Sequence, residues 1–527
     1  MQGIHTHSPK LFVSVTLDDL VPADNFYRRL EATLDLRFLY SETRDYYGRE
    51  GQASIDPVVF FKLLLVGYLN NLTSDRRLVA YASNCLDVRW FLGYELDEEL
   101  PWHSTVSRTR ALLGEEVFVA LFQRVLSLCV DKGMVRGKRQ ALDSAFVKAN
   151  ASLDSLEHKQ ILQDVQVYAE ELDAGSEHTV SAARKRLVDR HHAWKKEAYK
   201  GMPGHSAAAK RERLEAAGKE EVDGFGHRVR GQYLSNHTHY SPTDPDARIS
   251  VKPGKARQMN YFGQLAVDDA HHVITGAMAD FADQRDAQCL PRIVEQTRQN
   301  LRENDIQLEQ ILADAGYSSG EALAYLHEQG LDAWIPNFGQ YVPHRPGFEY
   351  DKEQNRYRCV KPGGNGAILS YKGERMDSKG YTKHTYRSSE SDCRRCPLRE
   401  SCCGARTKFK KIDDSIHKEH YDRMHEKLTK HPEQARRMSR IRSKTVEPVL
   451  GTLLNFLGMK RVNTRGIRNA NKHVLMAALS YNLKKLLKFE RKCSLGQVMA
   501  QKTPRINQNL LQNRPYWASD GRIVTIL

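Results

Sequence analysis

Hydrophobic residues recur at helical spacing along residues 57–135. One stripe begins at Val58 and a second begins at Val117, with a short basic segment, PWHSTVSRTRALLG, between them. That segment contains a proline-led turn followed by a Ser/Thr cap, which are signals for the start of a helix. The pattern predicts an all-helical N-terminal domain over residues 1–135.

After the helical segment, the pattern changes to short apolar runs. One strand is predicted at RQALDSAFVKA, which carries Asp143, and a hairpin is predicted at QLAVDD and HHVITGAMAD, around Asp269. There follow a helix (AQCLPRIVEQTRQNL), a strand that ends near Asp314 (LEQILADAG), a helix (SGEALAYLHEQG) and a last strand (LDAWIPN). Ser318 and Glu321 have the spacing of a capping box at the start of the second helix. This succession predicts an α/β domain built on a mixed sheet.

Two segments of different composition interrupt this pattern. Residues 151–258 are polar, highly charged and mostly helix-forming, whereas residues 338–412 are rich in Gly, Pro and Tyr and hold five of the nine cysteines. Long insertions between strands are tolerated because the entropy of loop closure grows slowly with length. We predict a sheet domain over residues 136–490 that contains both insertions. The tail, residues 491–527, has no clear periodicity and receives no predicted structure.

The charge balance is strongly basic, with 80 Lys and Arg against 65 Asp and Glu and a formal net charge of +15. Such an excess favours a polyanionic partner through phosphate neutralisation and counterion release. The alternative is a basic protein without such a partner. The most apolar segment, VVFFKLLLVGYL, is too short to cross a bilayer, and the N-terminus lacks secretory-signal features, so we expect no membrane segment. Nine cysteines without such a signal indicate a reducing, cytoplasmic compartment.

Three acidic residues occur in three different settings. Asp143 and Asp314 end short apolar runs, and Glu447 opens a segment with helical apolar spacing, VEPVLGTLLNFLG. Carboxylates from two strands and one helix are able to share two divalent cations, which promote in-line attack on a phosphodiester. Oxygen ligands favour Mg²⁺ or Mn²⁺. Each acid alone also has a structural interpretation, either as a strand-end residue or as an acid in the first turn of a helix.

Several segments, in their order along the chain, resemble the DDE transposases of bacterial insertion sequences: LDSAFVKANAS, YFGQLAVDDAHHVITGAMAD, LADAGYSS, VEPVLGTLLNFLG and RVNTRGIRNANKHVLMAALSYNLKKLLK. The resemblance extends from about Pro57 to about Leu487. It implies an RNase H-like mixed sheet flanked by helices, in which Asp143, Asp314 and Glu447 are the catalytic ligands of a two-metal Mg²⁺ or Mn²⁺ site.

The resemblance also implies a function. A protein of this family binds the terminal inverted repeats of a mobile element, cuts the double-stranded DNA at the element ends and joins the ends to target DNA. Because two ends are paired, a homodimer on DNA is expected, in the bacterial nucleoid. Two alternatives are a metal-dependent nuclease of the same fold without strand transfer, and a catalytically weakened DNA-binding remnant.

The segment around Glu447 departs from the family pattern. Relatives often have an arginine four residues before this glutamate and a lysine seven residues after it, whereas this chain has Ser443 and Leu454 there. Neighbouring basic residues are candidates for the missing DNA contacts: Arg442, Lys444, Lys460 and Arg461. The departures leave open how the scissile strand is held.

Further basic residues are candidates for phosphate contacts. The segment PWHSTVSRTRALLG resembles a helix that enters a DNA groove, with a solvated helix face as the alternative. RVNTRGIRNANKH is a candidate lining of a DNA channel, with a plain linker as the alternative, and KARQ precedes a strand. The residues concerned are Arg108, Arg110, Lys255, Arg257, Arg465, Arg468 and Lys472.

A cysteine cluster occupies the second insertion, in CRRCPLRESCC and the upstream YRCVKP. CxxC is a common half of a zinc site, and related transposases carry a similar pattern. The predicted structural Zn²⁺ ligands are Cys359, Cys393, Cys396 and Cys402, with Cys403 as the alternative to Cys402. Free thiols are the other interpretation. The isolated cysteines are predicted to be buried small hydrophobic residues: Cys85, Cys129, Cys289 and Cys493.

Other acidic residues compete for a place at the site. Asp280 and Asp283 lie near a predicted strand end and are candidates for contacts behind the metal ligands. Asp268 and Asp269 lie in the predicted hairpin turn, where carboxylates commonly bond to nearby backbone groups. We interpret the turn pair as structural.

Overall fold

The computed structural model describes eleven stretches of the chain: residues 14–48, 54–158, 221–222, 228–229, 236, 239–250, 257–337, 339, 341–377, 381–403 and 407–489. Most of the first predicted insertion lies outside the described residues, as do Lys255, Cys493 and the tail from residue 490. The chain divides into two units, Met1–Leu487 and Lys488–Leu527. The contacts below belong to the first unit.

The described N-terminal part is helical, as predicted. Its helices are α1 (Leu17–Leu20), α2 (Phe26–Thr33), α3 (Leu39–Thr43), α4 (Pro57–Leu69), α5 (Asp75–Asn84), α6 (Leu86–Leu92), α7 (His103–Leu112) and α8 (Glu115–Asp131). Helix α4 begins where the Asp56 carboxylate accepts the N–H groups of Val58 and Val59 at 2.6 and 3.1 Å. Such a cap satisfies backbone donors that have no partner inside the helix. Phe60 and Phe61 then anchor α4 in the helical core.

The main sheet is mixed and centres on β1 (Arg139–Lys148). Short strands follow: β2 (Glu157–His158), β3 (Glu221–Val222), β4 (Arg228–Val229), β5 (His239–Tyr240) and β6 (Arg248–Ser250). The sheet continues with β7 (Gln258–Asp268), β8 (Ile274–Phe281), β9 (Gln310–Leu312) and β10 (Asp332–Trp334). β1 pairs antiparallel with β7 and parallel with β9, β10 pairs parallel with β9, and both β6 and β8 pair antiparallel with β7. The predicted mixed α/β architecture is confirmed.

Two helices cover one face of this sheet, namely α9 (Asp286–Arg302) and α10 (Gly320–Glu328). Leu290 and Ile293 of α9 pack with Leu142 and Ile311 of the sheet in one buried cluster. The predicted cap of α10 is off by one residue, because Ser319 rather than Ser318 is the N-cap and accepts the Ala322 N–H at 3.1 Å.

The second predicted insertion contains a small antiparallel sheet of its own. Its strands are β11 (Phe348–Asp351), β12 (Arg356–Cys359), β13 (Ile368–Met376), β14 (Thr382–Ser388) and β15 (Lys411–Ser415). Two short helices, α11 (Glu390–Arg394) and α12 (Arg399–Cys403), lie between the last two strands. Phe348, Tyr357, Leu369 and Tyr386 form a separate core, which explains how this segment is tolerated between elements of the main sheet.

Three helices complete the described chain: α13 (Lys418–Lys430), α14 (Pro432–Phe456) and α15 (Ile467–Lys488). Glu447 lies inside α14, which begins at Pro432, so the alternative interpretation of Glu447 as an acid in the first turn of a helix is wrong. The arginine-rich segment before Glu447 therefore belongs to the same helix. Helix α14 therefore fixes the position of basic side chains in this segment relative to the main sheet.

Helix α15 covers the outer edge of the main sheet. Among the described strands, β8 pairs only with β7, and Asn482 of α15 pairs with both the N–H and the C=O of Ile274, at 2.9 and 2.8 Å. Asn471 accepts the Ala279 N–H at 2.8 Å. An edge strand otherwise exposes unpaired backbone groups, so these asparagines replace a further strand.

Helix α15 is enclosed by the protein over most of its length. Residues from Ala470 to Leu483 are buried without interruption, as in a helix enclosed by protein on all sides. Lys472 donates to the carbonyl of Leu113 at 2.6 Å, and Lys484 donates to that of Leu69 at 3.2 Å. The helical part and the sheet therefore share α15 as a common core element.

No helix of the described ranges is long and apolar enough to cross a membrane.

A buried histidine marks this shared core. His473 of α15 and the hydroxyl of Tyr68 of α4 form a hydrogen bond of 2.7 Å. Burial lowers the pKa of His473 from 6.5 to about 4. The folded protein therefore holds this side chain neutral at a pH where an unfolded chain binds a proton.

We expect acid to weaken the fold through His473. Between pH 6.5 and about 4 the unfolded state binds more protons at this residue, so stability is lost as the pH falls through that window. The full shift corresponds to roughly 3 kcal/mol. Melting temperatures measured across this range should fall less steeply for His473→Gln than for the unmodified protein. The exposed His344, changed to Gln, is the control, and equal pH slopes for all three proteins would contradict the assignment.

Candidate active site

Asp143 and Asp314 emerge next to each other from the centre of the main sheet. In the parallel pair of β1 and β9, Ala141 lies beside Leu312, and each aspartate comes two residues later. Parallel strands lie about 4.8 Å apart, and paired positions point to the same face. Burial raises the pKa of Asp143 above its ordinary value, and the charge of Asp314 adds to the rise, while the Ser144 N–H and Arg442 oppose it. The register thus brings the two carboxylates together.

Glu447 joins them through an arginine. Arg442 Nη1 lies 2.9 Å from Asp143 Oδ2, and Arg442 Nη2 lies 3.1 Å from Glu447 Oε1. The side chains of Arg442 and Asp143 are only 12% and 17% exposed, whereas that of Glu447 is 56% exposed. The structure therefore brings all three predicted acids to one place, with a guanidinium between two of them and solvent on the Glu447 side.

A fourth carboxylate, Asp286, was missed by the sequence analysis. The Ser144 hydroxyl, one residue after Asp143, donates to Asp286 Oδ1 at 2.5 Å. A Cβ atom placed on Gly316 would lie 2.9 Å from Asp286 Oδ2 and 3.0 Å from Asp314 Oδ1, so both oxygens converge on this glycine. The available signal was positional, because Asp286 is the first residue of the helix that follows β8.

A buried tyrosine borders the acidic cluster. The hydroxyl of Tyr317 donates to Gln264 Oε1 at 2.6 Å. Burial, followed by the charges of Asp286, Asp143 and Asp314, raises the pKa of Tyr317 well above its ordinary value. The phenol stays neutral and lies against one side of the acidic cluster.

The donor chemistry fits a hard divalent cation. Three aspartates and one glutamate offer only oxygen ligands, the kind that Mg²⁺ and Mn²⁺ prefer. Among the described residues, however, no three His, Cys, Asp or Glu side chains already stand in position to hold one ion. The positive charge between Asp143 and Glu447 is that of the Arg442 guanidinium rather than that of a metal ion. The side chains are of the type that binds such an ion. To ligate it, the acids must move closer together.

Comparison with protein families agrees with this geometry. Residues 15–112 match the model described as a transposase domain (DUF772), and residues 362–487 match the transposase DDE domain. These two matches support a DDE transposase of the insertion-sequence type. The second match includes Arg442 and Glu447, whereas Asp143 and Asp314 lie outside both matched ranges. A comparison with curated proteins finds no match.

The family supports an enzyme of the nuclease and transposase class, implies a DNA substrate and normally uses divalent metal ions. A polar groove lined in part by β1 and α14, the strand and the helix that carry Asp143 and Glu447, suits the DNA substrate. It has a volume of about 720 Å³, and its lining includes Lys148, Lys460 and Arg461. Within the described part of the chain, none of these three cations forms an ion pair. Leu454, at the position where relatives often have lysine, lines the same groove.

Local backbone contacts hold this groove in place. The Lys148 N–H donates to the carbonyl of Lys460 at 3.0 Å, and the Val462 N–H donates to the carbonyl of Lys148 at 2.9 Å. The end of β1 is thereby joined to the segment after α14. Two cations predicted as DNA contacts are fixed relative to the strand that carries Asp143.

Other predicted DNA contacts have different surroundings. Arg110 is buried in an ion pair with Asp75, with Nη2 2.6 Å from Oδ1, and Lys472 donates to the Arg110 carbonyl at 3.0 Å. Both side chains therefore join α7 to its neighbours, and we do not carry them forward as phosphate ligands. Exposed cations of the predicted set are Arg108, Arg257, Lys444, Arg465 and Arg468.

The competing acids are engaged elsewhere. Buried Asp280 pairs with Arg292, and Asp283 lies 3.4 Å from Arg248. Asp268 accepts the Gly137 N–H at 2.6 Å, and Asp269 pairs with Arg139 at 2.9 Å. The turn pair is structural, as predicted. Asp286, rather than Asp280 or Asp283, is the further acid beside the predicted triad.

The cysteines of the insertion form no disulfide bonds among the described residues. Cys359 and Cys402 pack against the core of the small sheet, and burial together with Cys393 and Cys402 raises the pKa of Cys403 to about 11. In the described ranges these thiols do not form a ready metal cluster, so structural Zn²⁺ stays a prediction. Of the isolated cysteines, Cys129 and Cys289 are buried as predicted, whereas Cys85 is partly exposed.

We expect Zn²⁺ to bind the cysteine cluster. The purified protein should then contain about one zinc ion per chain by elemental analysis. Its melting temperature should fall on chelation, because structural zinc contributes directly to folding. Cys393→Ser should lose the metal, and Cys85→Ser should keep it. A stable, zinc-free protein would contradict the prediction.

Proposed function

We propose that this transposase cleaves DNA at the ends of a mobile element and transfers the cut strands to target DNA. Asp143, Asp314 and Glu447 are the proposed catalytic carboxylates, on an RNase H-like sheet. The observation that carries the proposal is their convergence, in which Arg442 contacts both Asp143 and Glu447 beside the register position of Asp314.

The strand arrangement supports an RNase H-like sheet. Its order is β8, β7, β1, β9, β10, with the two strands after the hairpin parallel to β1. A helix follows β8 and another follows β9, which agrees with the predicted succession of elements. This topology places the ends of β1 and β9 side by side, where carboxylates distant in sequence meet.

The chemistry follows from the residues present. Divalent ions held by these carboxylates supply charge neutralisation at the phosphate and lower the pKa of a water or hydroxyl nucleophile. Asp143, Asp314 and Glu447 position the ions, and Ser144 and Gly316 orient Asp286 and Asp314 through hydrogen bonds. The neutral Tyr317 limits access of water from the protein side. Most of the catalysis is then positioning and electrostatic stabilisation.

Both steps are balanced exchanges of phosphodiester oxygen. In cleavage, water attacks phosphorus, the bond to the element's 3′ oxygen breaks, and that oxygen takes up a proton. In transfer, the new 3′-hydroxyl loses its proton and attacks a target phosphate, while the target's own 3′ oxygen leaves. Because one phosphodiester replaces another, transfer needs no nucleotide cofactor.

DNA approaches along the groove that contains Lys148, Lys460 and Arg461. Cations aligned beside the acids neutralise phosphates and gain free energy from counterion release. Two element ends require two sites, so we propose a homodimer on inverted-repeat DNA. A nuclease without strand transfer is the second candidate, and Leu454 in the groove is the observation that favours it.

We expect each of Asp143→Ala, Asp314→Ala and Glu447→Ala to abolish Mg²⁺-dependent nicking of inverted-repeat DNA. The loss should exceed about 100-fold, since even outer-shell partners of metal ligands contribute 10- to 100-fold. End binding, measured by gel shift, should survive. Asp283→Ala removes an acid outside the site and should leave cleavage intact. Unchanged nicking in any of the three variants would remove that residue from the site.

Pre-cut ends with a free 3′-hydroxyl separate the two candidate functions. A transposase joins them to target DNA in the presence of Mg²⁺, whereas a simple nuclease leaves them unjoined. Cleavage without joining would therefore replace strand transfer by hydrolysis alone.

The groove cations should control the salt dependence of DNA binding. Changing both Lys460 and Arg461 to Gln should weaken binding and reduce the slope of log K against log salt by about one for each lost phosphate contact. Lys352→Gln, in the turn between β11 and β12, removes the same type of charge away from the groove. An unchanged slope for the double variant would place the DNA elsewhere.

A further inference from the structure

We propose that Arg442 is a built-in counter-ion of the active site, which holds the place of a divalent metal ion between Asp143 and Glu447 and moves out when the metal binds. The inference rests on the proposed function, because it takes these two acids as metal ligands. It gives Arg442 a positioning role that the family pattern around Glu447 does not predict.

The geometry of Arg442 is that of a bridging cation. Its two terminal nitrogens are divided between two carboxylates, one on the central strand and one on its own helix, at 2.9 and 3.1 Å. Side chains on a helix normally pair at spacings of three or four residues, and Arg442 precedes Glu447 by five. The contact to Asp143 therefore determines where the guanidinium lies.

Charge explains why a cation is needed there. Asp143, Asp314, Asp286 and Glu447 would repel one another, and Asp143 is largely removed from water. Within the described residues, Arg442 is the cation that forms ion pairs with this cluster, whereas its helix neighbours Arg440 and Lys444 are exposed. A buried carboxylate without a counter-ion costs several kcal/mol, so an ordered site without metal depends on Arg442.

The same position makes Arg442 a competitor of the metal. A divalent ion bound by Asp143 and Glu447 needs the oxygens to which the guanidinium donates. The apparent affinity for the metal is then the intrinsic affinity multiplied by the fraction of molecules in which Arg442 has moved away. Glu447 is the more exposed partner, so the long arginine side chain has an open route toward solvent.

Release of Arg442 links metal binding to DNA binding. Once freed, the guanidinium has two donors suited to a phosphate group. A phosphate that engages Arg442 removes the competitor, and the metal in turn frees Arg442 for the phosphate. By linkage, each ligand must raise the affinity for the other by the same factor.

Titration with Mn²⁺ in the absence of DNA tests the proposal on the full chain. We expect Arg442→Gln to bind Mn²⁺ at least about fivefold more tightly than the unmodified protein, the lower end of typical coupling. Without added metal, its melting temperature should be lower, and Mn²⁺ should raise it further than in the unmodified protein. Arg440→Gln removes the same charge from the same helix without touching the acids, and it should behave like the unmodified protein.

Arg442→Lys provides the second variant, because an ammonium group has one charge centre and cannot divide its donors between the two acids as the guanidinium does. Its Mn²⁺ affinity should exceed that of the unmodified protein and fall below that of Arg442→Gln. The comparison with the unmodified protein alone is decisive when the Gln variant is too unstable to titrate. Equal or weaker Mn²⁺ binding by folded Arg442 variants would overturn the inference and leave the proposed function standing. A folded protein that binds no Mn²⁺, with or without Arg442, would overturn both.

Discussion

The pairing register of β1 is the constraint on which the active site depends. This strand pairs antiparallel with β7 over nine residues, from Gln140 to Lys148, and parallel with β9 at its start. Because side chains alternate between the two faces, a slip by one residue would turn Asp143 away from Asp314 and from α14. The long ladder with β7 makes such a slip costly. The site is thus specified by backbone pairing before any metal or DNA contact is made.

Clustered negative charge is the second organising feature. Four carboxylates from β1, the end of β9, the start of α9 and the middle of α14 share a partly desolvated volume. Hydrogen bonds from Ser144 and Gly316 orient Asp286 and Asp314, and one guanidinium neutralises the pair nearest α14. The protein balances this charge with side chains whose positions are tied to secondary structure, so the site is ordered while its ligands remain exchangeable.

Some of this could be predicted from the sequence and some could not. Apolar periodicity located the strands of Asp143 and Asp314, and the order of elements indicated the mixed sheet. The capping residue of α10 was misplaced by one position, because polar residues next to a helix end carry weak positional signals. Asp286 gave only a positional signal and the bridging by Arg442 gave none, since both arise from contacts between residues more than a hundred positions apart. The burial of α15 follows likewise from tertiary packing that no local pattern encodes.

Helix α15 has a consequence for how the protein is made. Tyr68 and His473 touch across a separation of 405 residues, so during synthesis the N-terminal helices lack this packing partner until α15 has been made. Contacts of such high order form slowly, since a long loop must close before they contribute any stability. The edge of β8 stays uncovered over the same period. Synthesis of α15 therefore sets the earliest moment at which an ordered active site can exist, and a chain cut short before α15 leaves a sheet edge open to aggregation.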